Sequence, residues 1–154
     1  MAVHHATIVI QRSFNATPER VFAAWAEPDA RARWDYPGDG WEAIQEANEF
    51  AVGGRKLSRF GPPGDPLYTE DTRYEDIVPG ERIIFAYTIS RRETRITASL
   101  TTAEFSAEGC GALLLLTEQA AFLDEGDIPA DRERGWGEAL DKLDAELNRQ
   151  TQPA

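Results

Sequence analysis

Between residues 42 and 122 the chain offers six strand-like runs, at about 42–50, 55–60, 67–78, 82–90, 94–106 and 111–122. Turn chemistry separates them at Gly53-Gly54, Gly61-Pro62-Pro63-Gly64, Pro79-Gly80 and Glu108-Gly109. Connections this short cannot make the crossover of about a dozen residues that parallel neighbours require. The runs must therefore pair antiparallel, and the resulting sheet needs a cover for one face.

The rest of the chain supplies that cover. Thr7 to Phe14 alternates and is rich in β-branched residues, so it reads as a first strand. Ala16-Thr17-Pro18-Glu19 then reads as a helix start, with Thr17 as cap, Pro18 in the first helical position and Glu19 complementing the dipole. Val21, Phe22 and Trp25 share one face of this helix. Pro28 ends it and opens a second short helix through Trp34, followed by the turn-rich YPGDG of residues 36–40. Near the C-terminus, Asp127-Ile128-Pro129 opens a helix running to about Gln150, whose stripe is Trp136, Leu140, Leu143 and Leu147. Such a helix spans roughly 30–35 Å at 1.5 Å per residue. The sheet is the only partner large enough to bury its stripe, which makes the architecture α+β. Gly135 and Gly137 flank Trp136, and each should cost roughly 1 kcal/mol in a helix interior. Two readings stand: close approach of sheet or lid to the helix backbone, or tolerated surface positions.

The 154 residues suit one domain with one core. A formal net charge of −11 argues against a nucleic-acid or anionic-membrane surface, because phosphate binding needs clustered Lys and Arg. The basic clusters, Arg31/Arg33 and Arg91/Arg92/Arg95, are small. The single Cys110 cannot form an internal disulfide. The first residues carry too short an apolar run for a signal peptide, and no segment approaches the roughly 20 apolar residues of a membrane span. The expectation is a soluble cytoplasmic protein.

Motifs for chemistry are sparse. No GxSxG, HExxH, P-loop or dinucleotide fingerprint occurs. His4 and His5 are adjacent and precede the first strand, so no metal site and no cofactor is expected. Cys110 sits in a hairpin turn with no His or Asp near it in sequence. Glu75 and Asp76, as strand neighbours, point to opposite faces and cannot enter one pocket. In Asp124-Glu125-Gly126-Asp127, helix capping by Asp127 explains the carboxylates better than calcium does. No catalytic residue is assigned.

Four stretches carry a family resemblance: ATPERVFAAWAEPDARARW (16–34), FAVGG (50–54), YEDIVPGERIIFAY (74–87) and LTEQAAFLDEGD with RERGWGEALDKLDAEL (116–147). With them, in this order, the chain resembles the START-like (SRPBCC) superfamily. Within it, the chain is similar to the family named for the C-terminal domain of the heat-shock-protein-90 ATPase activator. One departure is Cys110-Gly111-Ala112, where the family usually carries a Gly-Thr pair.

The resemblance implies a helix-grip fold over residues 1–154, a curved antiparallel sheet around the C-terminal helix with a cavity between them. It also implies which aromatics face that cavity. Trp34 and Tyr36 lie on the short helix and loop that cover the mouth in relatives, Tyr74 and Tyr87 lie on adjacent strands, and Trp136 lies on the gripping helix. Arg59 or Arg73 offers a polar anchor, and Arg59 completes the candidate set. The implied function is non-catalytic binding of an apolar small molecule, or of a protein partner or chaperone client, with a stress-associated role. Two alternatives stay open. One is a polyketide cyclase- or hydrolase-like enzyme with Tyr74, Arg59 or a carboxylate as acid or base; the other is a protein-binding module with a closed cavity. In the eukaryotic activator the chaperone role also needs a separate N-terminal domain. This chain reads as one domain, which argues against direct ATPase activation. A homodimer through an exposed edge strand is a further expectation.

Overall fold

The computed structural model describes residues 2–36 and 40–151. Its elements are β1 (His4–Phe14), α1 (Pro18–Ala26), α2 (Pro28–Trp34), β2 (Glu42–Asn48), β3 (Arg55–Gly61), β4 (Tyr68–Val78), β5 (Arg82–Arg91), β6 (Thr94–Glu108), β7 (Gly111–Phe122) and α3 (Pro129–Thr151). All seven strands form one antiparallel sheet in the order β1-β7-β6-β5-β4-β3-β2. β2 to β7 run as a meander, and β1 adds at the far side of β7. The two short helices carry the chain from one edge of the sheet to the other.

One boundary moves relative to the sequence reading. β1 begins at His4, because His4, His5 and Ala6 continue the ladder against Phe122, Ala121 and Ala120. The two histidines are strand residues, not a preceding tail. Of the expected turn at residues 36–40, positions 37–39 lie outside the described residues.

Period-two patterning sets the inner face. In β7, Ala112, Leu114, Leu116, Glu118, Ala120 and Phe122 are buried. On α3, Trp136, Ala139, Leu140, Leu143 and Leu147 are buried against the sheet side. Each fully buried leucine contributes roughly 1.5–3 kcal/mol relative to exposure, which outweighs the helix's weak intrinsic propensity around its glycines. This is a helix-grip α+β fold.

The short helices close one end. Thr17 Oγ1 accepts a hydrogen bond from the Arg20 amide at 3.2 Å and caps α1. Trp25, fully buried on α1, sits 5.0 Å from Trp34 and 6.0 Å from both Phe105 and Trp136, ring centre to ring centre. The C-terminal turns of α3 are tied down by Arg20 donating to the Leu147 carbonyl at 3.1 Å and by the Arg33–Glu146 ion pair at 2.7 Å.

The two glycines of α3 do not mark a close approach. A Cβ built on Gly135 would meet no heavy atom within 4 Å, and one on Gly137 would meet only the Arg12 guanidinium at 4.0 Å. Both are tolerated open positions of the helix.

Candidate functional site

The N-terminal half of α3 stands off β2–β6 and leaves a cleft of about 520 Å³. Its floor is the inner face of β5, where Phe85, Tyr87 and Ile89 follow one another at every second residue. Trp136, Gly135 and Ala139 of α3 form one wall. Arg31, Asp35 and Tyr36 come from α2 and the residues after it. Trp41, Phe60 and Tyr68 form a stacked ladder on the opposite wall, with centroids 5.5 Å apart for Trp41–Tyr68 and 5.3 Å for Phe60–Tyr68. Lys142 reaches over the Tyr36 ring at 3.9 Å and donates to the Tyr36 carbonyl at 2.8 Å, fixing that part of the rim.

Two polar networks border this space. In the first, Glu118 is fully buried at an inward position of β7. Its Oε1 accepts from the Tyr87 hydroxyl, from Thr101 Oγ1 at 2.7 Å and from Trp136 Nε1 at 3.2 Å. Its Oε2 pairs with Arg132 at 3.1 Å. Arg132 also donates to the Tyr87 hydroxyl (2.8 Å), Ser99 (3.2 Å), Thr97 (2.9 Å) and Asp127 (2.6 Å). Burial, then the neighbouring Glu118 charge, hold the Tyr87 phenol well above its usual pKa, so it stays protonated and donates. The guanidinium is held above its usual value as well: burial acts against it, and the facing oxygens of Tyr87, Glu118 and Asp127 outweigh burial.

The second network centres on Lys56, whose side chain is 2% exposed on β3. Its ammonium lies 3.2 Å from both Asp35 and Glu70. Arg31 pairs with Asp35 at 2.7 Å, and its guanidinium carbon lies 4.8 Å from the centre of the Trp25 ring and 5.2 Å from that of Trp34. Burial would raise the Asp35 carboxyl, but Lys56 and Arg31 together hold it well below the usual range. It is ionised throughout the neutral range.

Of the residues singled out in the sequence, Tyr36, Tyr87 and Trp136 border the cleft. Trp34, Arg59 and Tyr74 do not. Trp34 turns into the core, where its indole donates to the Ala24 carbonyl at 2.9 Å. Tyr74 faces inward but is covered, packing on Phe50 and donating its hydroxyl to Asn48 at 2.9 Å. Arg59 lies on the outer face of β3, one residue out of phase with Ser58 and Phe60, and pairs with Glu46 at 3.6 Å. Asp127 pairs with Arg132 at 2.6 Å, a contact the sequence reading did not anticipate. Glu75 and Asp76 pair with Arg73 and Arg82 in exposed bridges.

Sequence reasoning passed over Glu118, Arg132, Lys56 and Asp35, and reads the Glu70-Asp71 pair as solvated, whereas Glu70 pairs with buried Lys56. For two of them a signal was present. Glu118 continues the inward series Ala112, Leu114, Leu116, and Lys56 shares parity with the inward-facing Ser58 and Phe60. A charge at an inward strand position asks for a buried partner. Among the described residues, no group of three or more His, Cys, Asp and Glu could hold a metal ion, and no helix is long and apolar enough to cross a membrane.

The family model described as activator of Hsp90 ATPase homolog 1-like protein matches residues 15–148. Among solved structures, the chain is similar to a protein from Rhizobium leguminosarum, with 40% identity, TM-score 0.88 and coverage of 96% of this chain and 97% of that one. It is similar also to the Mll3558 protein from Rhizobium loti, with 40% identity, TM-score 0.85 and coverage of 95% and 99%. A Silicibacter pomeroyi protein at 22% identity and TM-score 0.74, covered over 94% and 99%, shares the fold. No curated protein matches the chain.

Proposed function

We propose that this chain, which belongs to the activator of Hsp90 ATPase homolog 1-like family, is a single START-like domain that holds a small apolar molecule between its sheet and its long helix. The observation that carries the reading is the cleft of about 520 Å³, floored by Phe85, Tyr87 and Ile89 and walled by Trp136 and the Trp41–Tyr68–Phe60 ladder. That size and aromatic lining suit a small-molecule site. The role is binding rather than turnover. Tyr87, the cleft's hydroxyl nearest a buried carboxylate, is engaged with Glu118 and Arg132 and held in its protonated form. Of the acid–base candidates, Tyr74 and Arg59 lie away from the cleft, and the carboxylates Asp35, Glu70 and Asp127 that line it are each held in an ion pair with Arg31, Lys56 or Arg132.

Native mass spectrometry of the protein as purified, before and after organic extraction, tests this. The expected result is a stoichiometric adduct that extraction removes and whose mass gives the ligand. A bare mass in both samples, with no thermal stabilisation by added arylalkyl compounds, would count against the reading.

A further inference from the structure

Below the rim, the cleft's charges divide by sign according to their exposure. The side chains of Arg31 and Arg132 are 2% and 8% exposed, and both guanidinium groups are engaged within the protein. Those of Asp35, Glu70 and Asp127 are 17%, 20% and 15% exposed. At the rim, Arg134 is neutralised by Asp131 at 2.7 Å, and Glu138 adds a further carboxylate.

The hydrogen-bond inventory points the same way. Asp35 takes Arg31 and Lys56 on Oδ2, Glu70 takes Lys56 and Thr72 on Oε1, and Asp127 takes Arg132 on Oδ2. Among the described residues, the second oxygen of each carboxylate accepts no hydrogen bond. The residues lining the cleft thus carry unused acceptors, while the donors of Arg31 and Arg132 are spent within the protein. The aromatic ladder adds to this bias, because ring faces attract cations and repel anions. The molecule's net charge of −11 draws cations toward the opening over longer range.

We infer that the cleft selects an organic cation, an apolar or aromatic body carrying an amine, over neutral or anionic molecules of the same shape. This rests on the small-molecule reading of the same cleft and names the chemical class of its occupant. The body would lie on Phe85 and Ile89 against Trp136, and the ammonium would donate to the unused oxygens of the carboxylates. An anion on the cleft floor would lie beside three carboxylates, and the one well-exposed guanidinium of the lining, Arg134, stands at the rim paired with Asp131.

Isothermal titration calorimetry of the full chain at neutral pH and low salt, with naphthylethylamine, naphthylethanol and naphthylacetate, tests the inference. The amine is expected to bind about tenfold more tightly than the alcohol, a difference of about 1.4 kcal/mol, with naphthylacetate weakest. Asp127→Asn and Glu70→Gln should each weaken the amine several-fold more than the alcohol and so narrow the preference for amine over alcohol. Should Glu70→Gln fail to fold, because it strips a partner from buried Lys56, Asp127→Asn and the wild-type ranking decide. Equal binding of alcohol and amine, or tightest binding of naphthylacetate, overturns the cation inference and leaves the cleft reading intact. No binding of any of the three overturns both.

Discussion

Glu118 is the residue on which the cleft floor depends. It is a charge at the centre of an otherwise apolar strand face, and it persists because four groups from two strands and a helix serve its two oxygens. Taking the carboxylate away leaves Arg132 buried beside Tyr87 with one of its two ionic partners gone. Breaking a buried pair costs about 3–5 kcal/mol, because the remaining charge is stranded rather than merely unpaired. Glu118→Ala should therefore lower the urea midpoint by that equivalent, whereas truncating the exposed partner in the Arg55–Asp71 bridge should move it by less than about 1 kcal/mol.

At the scale of the element, α3 combines a well-buried stripe with two positions that nothing requires to be glycine. Gly135→Ala should raise stability by about 0.5–1 kcal/mol, read as an increase in denaturation midpoint, since a methyl group there meets no neighbour. The other end of α3 is held by charge. Hydrogen bonds from Arg149 and Arg33 lower the Glu146 carboxyl from 4.5 to about 2. Because the folded value is the depressed one, this stabilisation is complete above the ordinary carboxylate range and is lost as pH falls through about 2. Against Glu146→Gln, the wild type should be ahead by on the order of 1 kcal/mol at neutral pH, because both arginines are exposed and their pairs are screened, and the gap should close in acid-unfolding measurements. Elements of this kind were legible in the sequence because each announces itself locally. The α3 stripe recurs at helical spacing, Thr17-Pro18 starts α1, and Gly and Pro punctuate most strand ends. The β5–β6 turn is different. Arg92 adopts a left-handed φ of 53° without being glycine, held by its amide on the Leu67 carbonyl at 2.7 Å and by Asp65 at 3.0 Å. The site was half legible for a related reason. Which aromatic borders the cleft is fixed by strand parity and by what packs over it, so Tyr87 and Tyr74, both inward, have different neighbours. The Lys56–Asp35–Glu70 cluster joins residues from three elements, and no local pattern connects them.

Taken as one body, the protein carries a net charge of −11 while many of its exposed ion pairs are individually weak. Salt screens both, but the long-range repulsion of the whole is the larger quantity. Raising ionic strength from about 0.01 M to about 0.15 M shortens the screening length from about 30 Å to about 8 Å. The melting temperature should rise by about 2–4 °C if the relief is on the order of 1 kcal/mol, as calorimetry would show. A consequence of another kind follows from the tryptophans. Trp25 and Trp136 lie nearly parallel, 18° apart at 6.0 Å, with Trp34 5.0 Å from Trp25, while Trp41 stands apart on the cleft rim. Indole transitions this close share their excitation, so the near-ultraviolet circular dichroism of the folded chain carries a signal belonging to the stack rather than to any one ring. Its chromophores span α1, α2 and α3. The protein is thus built with an internal optical gauge, in which light absorbed where the three helices meet reports whether their packing is intact.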